Sequence, residues 1–209
     1  MAKFRLRKWV KLVIALIILG IIAMLVIILY KHIPRKNLID DLKEAQIPEY
    51  ITVDLIPKGV SHSRNGLYLE DVKNIVIHYV GNPGTSAKNN RDYFANIGTR
   101  VNAHFVVGLD GEIIQCIPLY ERSCASNHRN KDTISIEVCH PDAVGKFNDK
   151  TNESLVKLTA WLCNLCDLDE NDVIRHYDVT GKLCPIYYVK NENKWNELLN
   201  DIKLEINIS

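Results

Sequence analysis

The 209-residue chain predicts an α/β domain with a central mixed β-sheet flanked by helices, preceded by one N-terminal transmembrane helix. Short runs rich in β-branched residues alternate with longer stretches whose apolar residues recur at helical spacing, which is typical of an interleaved α/β fold. The pair Asp110-Gly111 divides one apolar stretch into the two strands of a hairpin. An uncharged apolar run over residues 12–30 accounts for the N-terminal helix.

The run over 12–30 is long enough to cross a membrane, because about 20 helical residues span a hydrocarbon layer of about 30 Å. Five cations and no acid lie in residues 1–11, so this segment is predicted to be cytoplasmic and the bulk of the chain extracytoplasmic. A cleaved signal peptide is the alternative, but the run is longer than usual and no small-x-small cleavage site follows it. We therefore expect a single-pass signal anchor in the cell membrane. A polar tether over 31–50 and one domain over 51–209 should follow.

The charge is unevenly distributed. Residues 1–36 carry eight Lys and Arg and no acid, so the remaining residues hold 18 cations and 25 anions, a formal charge of about −7. A domain this acidic lacks the basic face that nucleic-acid binding requires. We expect no nucleic-acid partner, and nothing in the sequence addresses the oligomeric state.

Four segments are predicted to form strands. Residues 74–80 end at the turn cluster Gly-Asn-Pro-Gly, residues 104–117 form the hairpin, residues 133–140 alternate, and residues 172–177 form a short strand. His78 and His176 therefore lie near strand ends.

Three helices are predicted between and after these strands. Ser86 should cap the first, which ends at Gly98. The apolar residues expected to face inward on the three helices are Tyr93, Phe94 and Ile97; Leu155, Leu158, Leu162 and Leu165; and Trp195, Leu198, Leu199 and Ile202.

Of six cysteines, Cys163 and Cys166 form a Cys-x-x-Cys pair. Such a pair is compatible with zinc or redox chemistry, but there is no second pair and both residues lie on an apolar helix stripe. Two buried thiols are the better interpretation.

His78, His176 and Cys184 are candidates for the three protein ligands of a catalytic zinc site, which keeps its fourth position open. Two of them lie at or beyond predicted strand ends, where side chains from separate strands can converge. Taken singly, each has a structural alternative: a histidine that ends a strand, or a small buried thiol before Pro185.

Glu137 is a candidate general base. In residues 133–140, Glu137 points to the face opposite Ile134 and Ile136, and a carboxylate inside a covered sheet needs a partner or a cleft. A solvated sheet face or a structural ion pair is the alternative. Lys182 precedes Cys184 by two residues and could share its side, or it could be a surface lysine. We favour a structural role for His104.

Four motifs occur in order: IVIHYVGNPGTSAKNNRDYF, NAHFVVGLDGEIIQCIP, TISIEVCHPD followed by GKF, and VIRHYDVTGKLCP. Together they resemble the zinc-dependent N-acetylmuramoyl-L-alanine amidases of type 2, a family related to peptidoglycan-recognition domains. The resemblance covers about residues 50–205.

The resemblance implies one catalytic Zn²⁺ held by His78, His176 and Cys184, a position where some members have aspartate. It also implies a catalytic Glu137 and a transition-state-stabilising Lys182. Another branch has a catalytic tyrosine where this chain has Ala103, so Glu137 should carry the proton transfer. The implied reaction cleaves the amide bond between N-acetylmuramic acid and the L-alanine of the stem peptide in peptidoglycan, by zinc-activated water with a glutamate base.

Two other functions remain open. A non-catalytic peptidoglycan-binding domain would hold the same substrate without cleaving it. A cysteine peptidase would use Cys184 as nucleophile and His176 as base; such a nucleophile usually lies at a helix start, and the residues after Cys184 predict no helix. A cellular autolysin and a phage lysin are not distinguished by the sequence.

Overall fold

A computed structural model describes residues 7–31, 38–59, 62 and 64–208. The chain divides into two compact units, residues 1–36 and 37–209. Parts of the predicted cytoplasmic segment (1–6) and of the predicted tether (32–37) lie outside the described residues.

The first unit contains helix α1, Lys8–Lys31. Aliphatic side chains between Val13 and Val26 are exposed along it. Among the residues that the structure describes, no helix is long and apolar enough to cross a membrane. The transmembrane helix predicted over 12–30 is therefore not confirmed.

The second unit is built on a six-stranded sheet in the order β1-β4-β3-β5-β2-β6. Neighbouring strands are parallel except in the β3–β4 hairpin, so the sheet is mixed, as predicted. The strands are β1 (Ile51–Val53), β2 (Asn74–Tyr79), β3 (Phe105–Val107), β4 (Ile113–Gln115), β5 (Thr133–Val138) and β6 (Val173–Arg175).

Six α-helices accompany this sheet in the described part of the second unit: α2 (Leu38–Glu44), α3 (Ala87–Ala95), α4 (Asp149–Cys166), α5 (His176–Thr180), α6 (Ile186–Lys190) and α7 (Glu192–Ile206). α2 lies within the segment predicted as a tether. It buries Leu38 and Leu42 in the core, because residues four apart share one helix face.

Helix α3 begins at the predicted cap, where Ser86 Oγ accepts a hydrogen bond from the backbone N–H of Asn89. Its inward face differs from the prediction: Phe94 is buried, whereas Tyr93 is 54% exposed and Ile97, beyond the helix end, is 84% exposed. The predicted stripes of α4 and α7 are confirmed, with Leu165 and Leu199 at their half-buried margins.

The central strand β5 separates two apolar clusters, as its alternation predicts. Ile134, Ile136 and Val138 join the larger cluster with α4 and α7, while Cys139 joins the smaller one beneath α3. β5 pairs in parallel with β2, and the register places His78 directly beside Glu137. Because the two strands end at the same edge, the fold brings a candidate ligand and a candidate base together.

Candidate metal centre and active site

Three elements position the candidate ligands. His78 is the penultimate residue of β2 and is buried. His176 lies beyond the strand predicted to contain it: β6 ends at Arg175, and His176 is the first residue of α5. Gly181 ends α5 with a φ of +76°, a conformation that favours glycine, and the chain turns back towards Cys184. The Tyr177 N–H donates to the Cys184 carbonyl at 2.9 Å, so the two segments are held together.

One ligand atom from each of His78, His176 and Cys184 lies within 4.8 Å of the others, and all three side chains are buried. The Cys184 Sγ is 3.9 Å from the His78 Nδ1. Ligand atoms on a tetrahedral zinc ion are about 3.5 Å apart, given Zn–N and Zn–S bonds of about 2.0–2.3 Å. No other metal-compatible cluster occurs in the part of the chain that the structure describes.

Both histidines favour the neutral form. Burial, then the nearby charges of His176 and Lys182, lowers the pKa of His78 well below its usual value. Burial and the Lys182 ammonium also lower the pKa of His176. The Nδ1 of His176 is buried and has no hydrogen-bond partner. Neutral imidazoles with a free lone pair are the form that binds a metal.

Cys184 is buried beside the two candidate histidine ligands. Burial and the Glu137 carboxylate raise the pKa of its thiol to about 12, against the opposing effects of a hydrogen bond from the Tyr79 backbone and of Lys182. The prediction that no helix follows it was wrong, because α6 begins at Ile186. Pro185 is tolerated just before a helix, because a backbone N–H at this position would have no intrahelical hydrogen-bond acceptor.

Glu137 lies on the polar face of β5. Its Oε2 is buried and has no hydrogen-bond partner. Burial raises the pKa of Glu137 to about 8, although the Lys182 ammonium opposes the shift. A carboxyl group with a pKa close to neutrality is suited to take up and release a proton.

Lys182 is exposed, yet its charge influences Glu137, both histidines and Cys184. It lines the same cavity, of about 1130 Å³, as the three candidate ligands and Glu137. The structure thus brings together all five residues selected from the sequence. Among the described residues lining this cavity, Arg100 and Lys182 are the cations and Glu137 is the only acid.

His104 lies in the core, as predicted. Its Nε2 is 2.8 Å from the Glu121 carbonyl and its Nδ1 accepts the Ser135 N–H at 3.0 Å. Burial lowers the pKa of His104 to about 4, so the ring is neutral.

Two residues near the candidate ligands, Ser126 and Asn127, were not predicted from the sequence; they lie between β4 and β5. The Ser126 Oγ is 3.4 Å from the His78 Nε2, and the Asn127 Oδ1 is 3.2 Å from the His176 Nε2. The available signal was a polar loop, Ser-Asn-His-Arg-Asn over residues 126–130, which ends two residues before the strand that carries Glu137.

Two curated relatives resemble this chain. N-acetylmuramoyl-L-alanine amidase BlyA of Bacillus subtilis (strain 168) is 34% identical over 166 residues, which is 69% of this chain and 45% of BlyA. N-acetylmuramoyl-L-alanine amidase CwlL of Bacillus licheniformis is 33% identical over 64% of this chain and 41% of its own length. The chain thus spans less than half the length of these relatives.

Solved structures show the same fold. The catalytic domain of XlyA superposes with a TM-score of 0.64 at 28% identity, covering 73% of this chain and 98% of that domain. The PlyG catalytic domain, at 23% identity, matches in fold with a TM-score of 0.66 over 75% of this chain and 94% of its own. Residues 68–186 match the family described as N-acetylmuramoyl-L-alanine amidase (Amidase_2). On this match over more than half of its length, the chain belongs to the type-2 N-acetylmuramoyl-L-alanine amidase family.

Proposed function

We propose that this chain is a peptidoglycan hydrolase that cleaves the amide bond between N-acetylmuramic acid and the L-alanine of the stem peptide. The observation that carries the proposal is the cluster of His78, His176 and Cys184 in one cavity with Glu137 and Lys182. Family membership and the amidase names of BlyA and CwlL support the same reaction.

The donor set fits zinc. Two neutral imidazoles and one sulfur are favourable zinc ligands, and three protein ligands leave a fourth position open. The buried, unpartnered Nδ1 of His176 supports this assignment, because a buried nitrogen without a partner carries a desolvation cost that a metal bond would remove. When bound, zinc would supply a Lewis acid that polarises the scissile carbonyl and lowers the pKa of water to about 7.

Glu137 would move the proton. As a carboxylate, it accepts a proton from the water that attacks the lactyl carbonyl. As a carboxylic acid, it then delivers that proton to the departing L-alanine nitrogen. In the metal-free chain burial raises the pKa of Glu137 to about 8, and a bound cation would lower it, so that the carboxylate is accessible near neutral pH. No covalent bond between chain and substrate is required.

Lys182 would stabilise negative charge on the carbonyl oxygen in the transition state. The two cations that line the cavity, Arg100 and Lys182, would also favour a substrate with carboxylates, which the stem peptide carries. We therefore assign peptidoglycan, glycan strand and peptide together, as the partner of this cavity.

Purified cell walls test the proposal directly. The full-length chain should lower the turbidity of a wall suspension and release new N-terminal L-alanine. A chelator should abolish both signals, and zinc should restore them. A zinc-loaded chain that binds walls but releases no L-alanine would establish the non-catalytic binding domain instead.

The cysteine peptidase alternative makes a different prediction. That alternative pairs Cys184 with His176 as the base, whereas the ring nitrogen that lies 3.9 Å from the Cys184 Sγ is the Nδ1 of His78. The variant Cys184→Asp should retain zinc-dependent hydrolysis, since carboxylate is also a zinc ligand. Complete loss of hydrolysis in a variant that still binds zinc would favour the nucleophile.

We also propose that the chain is held at the outer face of the cell membrane, with its N-terminus in the cytoplasm. The support is the uncharged run over 12–30 and the cations in 1–11. External protease should then digest the catalytic domain of intact, wall-stripped cells and leave the N-terminus protected. Recovery of a shortened, freely diffusing protein would contradict the anchor.

A further inference from the structure

Two adjacent side chains approach both candidate histidine ligands. Ser126 is the N-cap of a single 3₁₀ turn, Asn127–Arg129, between β4 and β5, and Asn127 is the first residue of that turn. The Ser126 Oγ approaches the Nε2 of His78 at 3.4 Å, and the Asn127 Oδ1 approaches the Nε2 of His176 at 3.2 Å. In each ring the contact is to Nε2, so Nδ1 is left for another partner.

The Asn127 contact selects the tautomer of the His176 ring. The Asn127 carbonyl oxygen only accepts hydrogen bonds, so the His176 Nε2 must donate and Nδ1 keeps its lone pair. That Nδ1 is the buried nitrogen without a hydrogen-bond partner. In His78, Nδ1 lies 3.9 Å from the Cys184 Sγ, on the side of the candidate ligands. If Nδ1 binds the metal, Nε2 carries the proton, and the Ser126 hydroxyl, which can donate or accept, then serves as its acceptor.

The turn is held in place by its own hydrogen bonds. The Asn130 Oδ1 accepts from the backbone N–H groups of Ala125 and Ser126, at 3.1 and 2.6 Å. Asn127 has a φ of +54°, in the left-handed region that asparagine, aspartate and glycine adopt more readily than other residues. Successive side chains of an extended segment would point to opposite sides, whereas this turn directs two neighbours to the two rings.

We propose that Ser126 and Asn127 are positioning residues that hold both histidines with Nε2 protonated and Nδ1 directed at the metal, and so set the affinity for zinc. The inference rests on the proposed function, because it assumes that the cluster binds zinc. Hydrogen bonds to the outer nitrogen of a ligating histidine fix ring orientation, and their loss typically costs about 10–100-fold in metal affinity.

Zinc affinity of the full-length chain, stripped of metal and titrated against a chromogenic chelator, tests this without an activity assay. Asn127→Gly retains the left-handed backbone and removes the acceptor; its affinity should fall about 10–100-fold. Asn127→Asp keeps an oxygen acceptor and should bind zinc at least as tightly as wild type. Ser126→Ala should lose less zinc affinity than Asn127→Gly, because the Ser126–His78 contact is longer than the Asn127–His176 contact.

The matched control is Asp167→Gly. Asp167 has a φ of +53° at the C-terminal cap of α4 and does not line the cavity, so its replacement should leave zinc affinity unchanged. Wild-type affinity in Asn127→Gly would overturn the inference, as would equal losses in Asn127→Gly and Asn127→Asp. A wild-type chain that binds no zinc would overturn the proposed metal site itself, which is a distinguishable result.

Discussion

Glu121 and Glu137 are both carboxylates withdrawn from solvent, but their surroundings are opposite. Arg64 donates to both oxygens of Glu121, at 2.9 and 3.0 Å, and the Lys58 ammonium lies 3.1 Å from the same carboxylate. Burial alone would raise the pKa of Glu121, but these two cations outweigh it and the pKa is lowered. Glu137 has an unpartnered Oε2 and a pKa raised to about 8.

This difference separates a structural carboxylate from the carboxyl group that we propose as the proton carrier. A fully paired charge holds two loops together and stays ionised at neutral pH. A buried carboxyl group without compensating charges costs stability, but its raised pKa suits the proton transfer that we propose for Glu137. The contrast predicts that substitutions at the two sites act on different properties.

The largest expected effect is on activity at Glu137. Glu137→Gln should fold and bind zinc, but hydrolysis should fall about 10²–10⁴-fold because the proton carrier is lost. Release of N-terminal L-alanine from walls measures this rate. Glu153→Gln, on the exposed face of α4, is the matched control and should hydrolyse at the wild-type rate. Near-wild-type turnover in Glu137→Gln would remove Glu137 from the reaction.

The next effect is on stability at Glu121. Arg64→Ala should lower the free energy of unfolding by about 3 kcal/mol, because it leaves a buried carboxylate with only Lys58 as its cation. Since the fold lowers the pKa of Glu121 from 4.5, this contribution is present above about pH 4.5 and is lost as pH falls through the folded-state pKa. The difference from wild type in urea unfolding should therefore shrink in acid.

The control for this pair is Arg122→Ala, which removes a cation from the exposed Glu70. Such a surface ion pair contributes about 0–1 kcal/mol to the free energy of unfolding. Equal destabilisation by Arg64→Ala and Arg122→Ala would contradict the structural role of the buried pair.

Lys182 should behave as part of the reactive region. Lys182→Ala should lower kcat about 10²–10³-fold, as expected when a group that stabilises a developing oxyanion is removed. Lys190→Ala, at the exposed end of α6, should leave kcat unchanged. A loss confined to KM would instead assign Lys182 to substrate binding.

The smallest expected effect is an increase in the free energy of unfolding when Glu137 is replaced by glutamine. Because the fold raises its pKa from 4.5 to about 8, the metal-free protein loses stability as pH rises through this interval. The glutamine of Glu137→Gln does not titrate. The free energy of unfolding of this variant should therefore exceed that of wild type by about 1–3 kcal/mol near pH 8.5, and by less near pH 5. Urea unfolding at both pH values measures this. A difference independent of pH would contradict the raised pKa.

Local pattern was sufficient to predict much of the fold. The alternation over residues 133–140 placed Ile134 and Ile136 in the core and Glu137 on the other face, because side-chain direction in a strand has a period of two. The hairpin, the Ser86 cap and the stripes of α4 and α7 were predicted for similar reasons. The exposure of Tyr93 and Ile97 was not predicted, because an apolar residue is buried only where another element covers it.

The residue types of the candidate site, and their resemblance to one family, were readable from the sequence alone. His78 and Cys184 are 106 positions apart, and no spacing rule joins them. Only the tertiary structure placed His78 beside Glu137, began α5 at His176, and brought the turn at Ser126 and Asn127 against both rings. Hydrogen-bond partners, tautomers and pKa shifts depend on distances and burial between remote segments, and these exist only once the chain has folded.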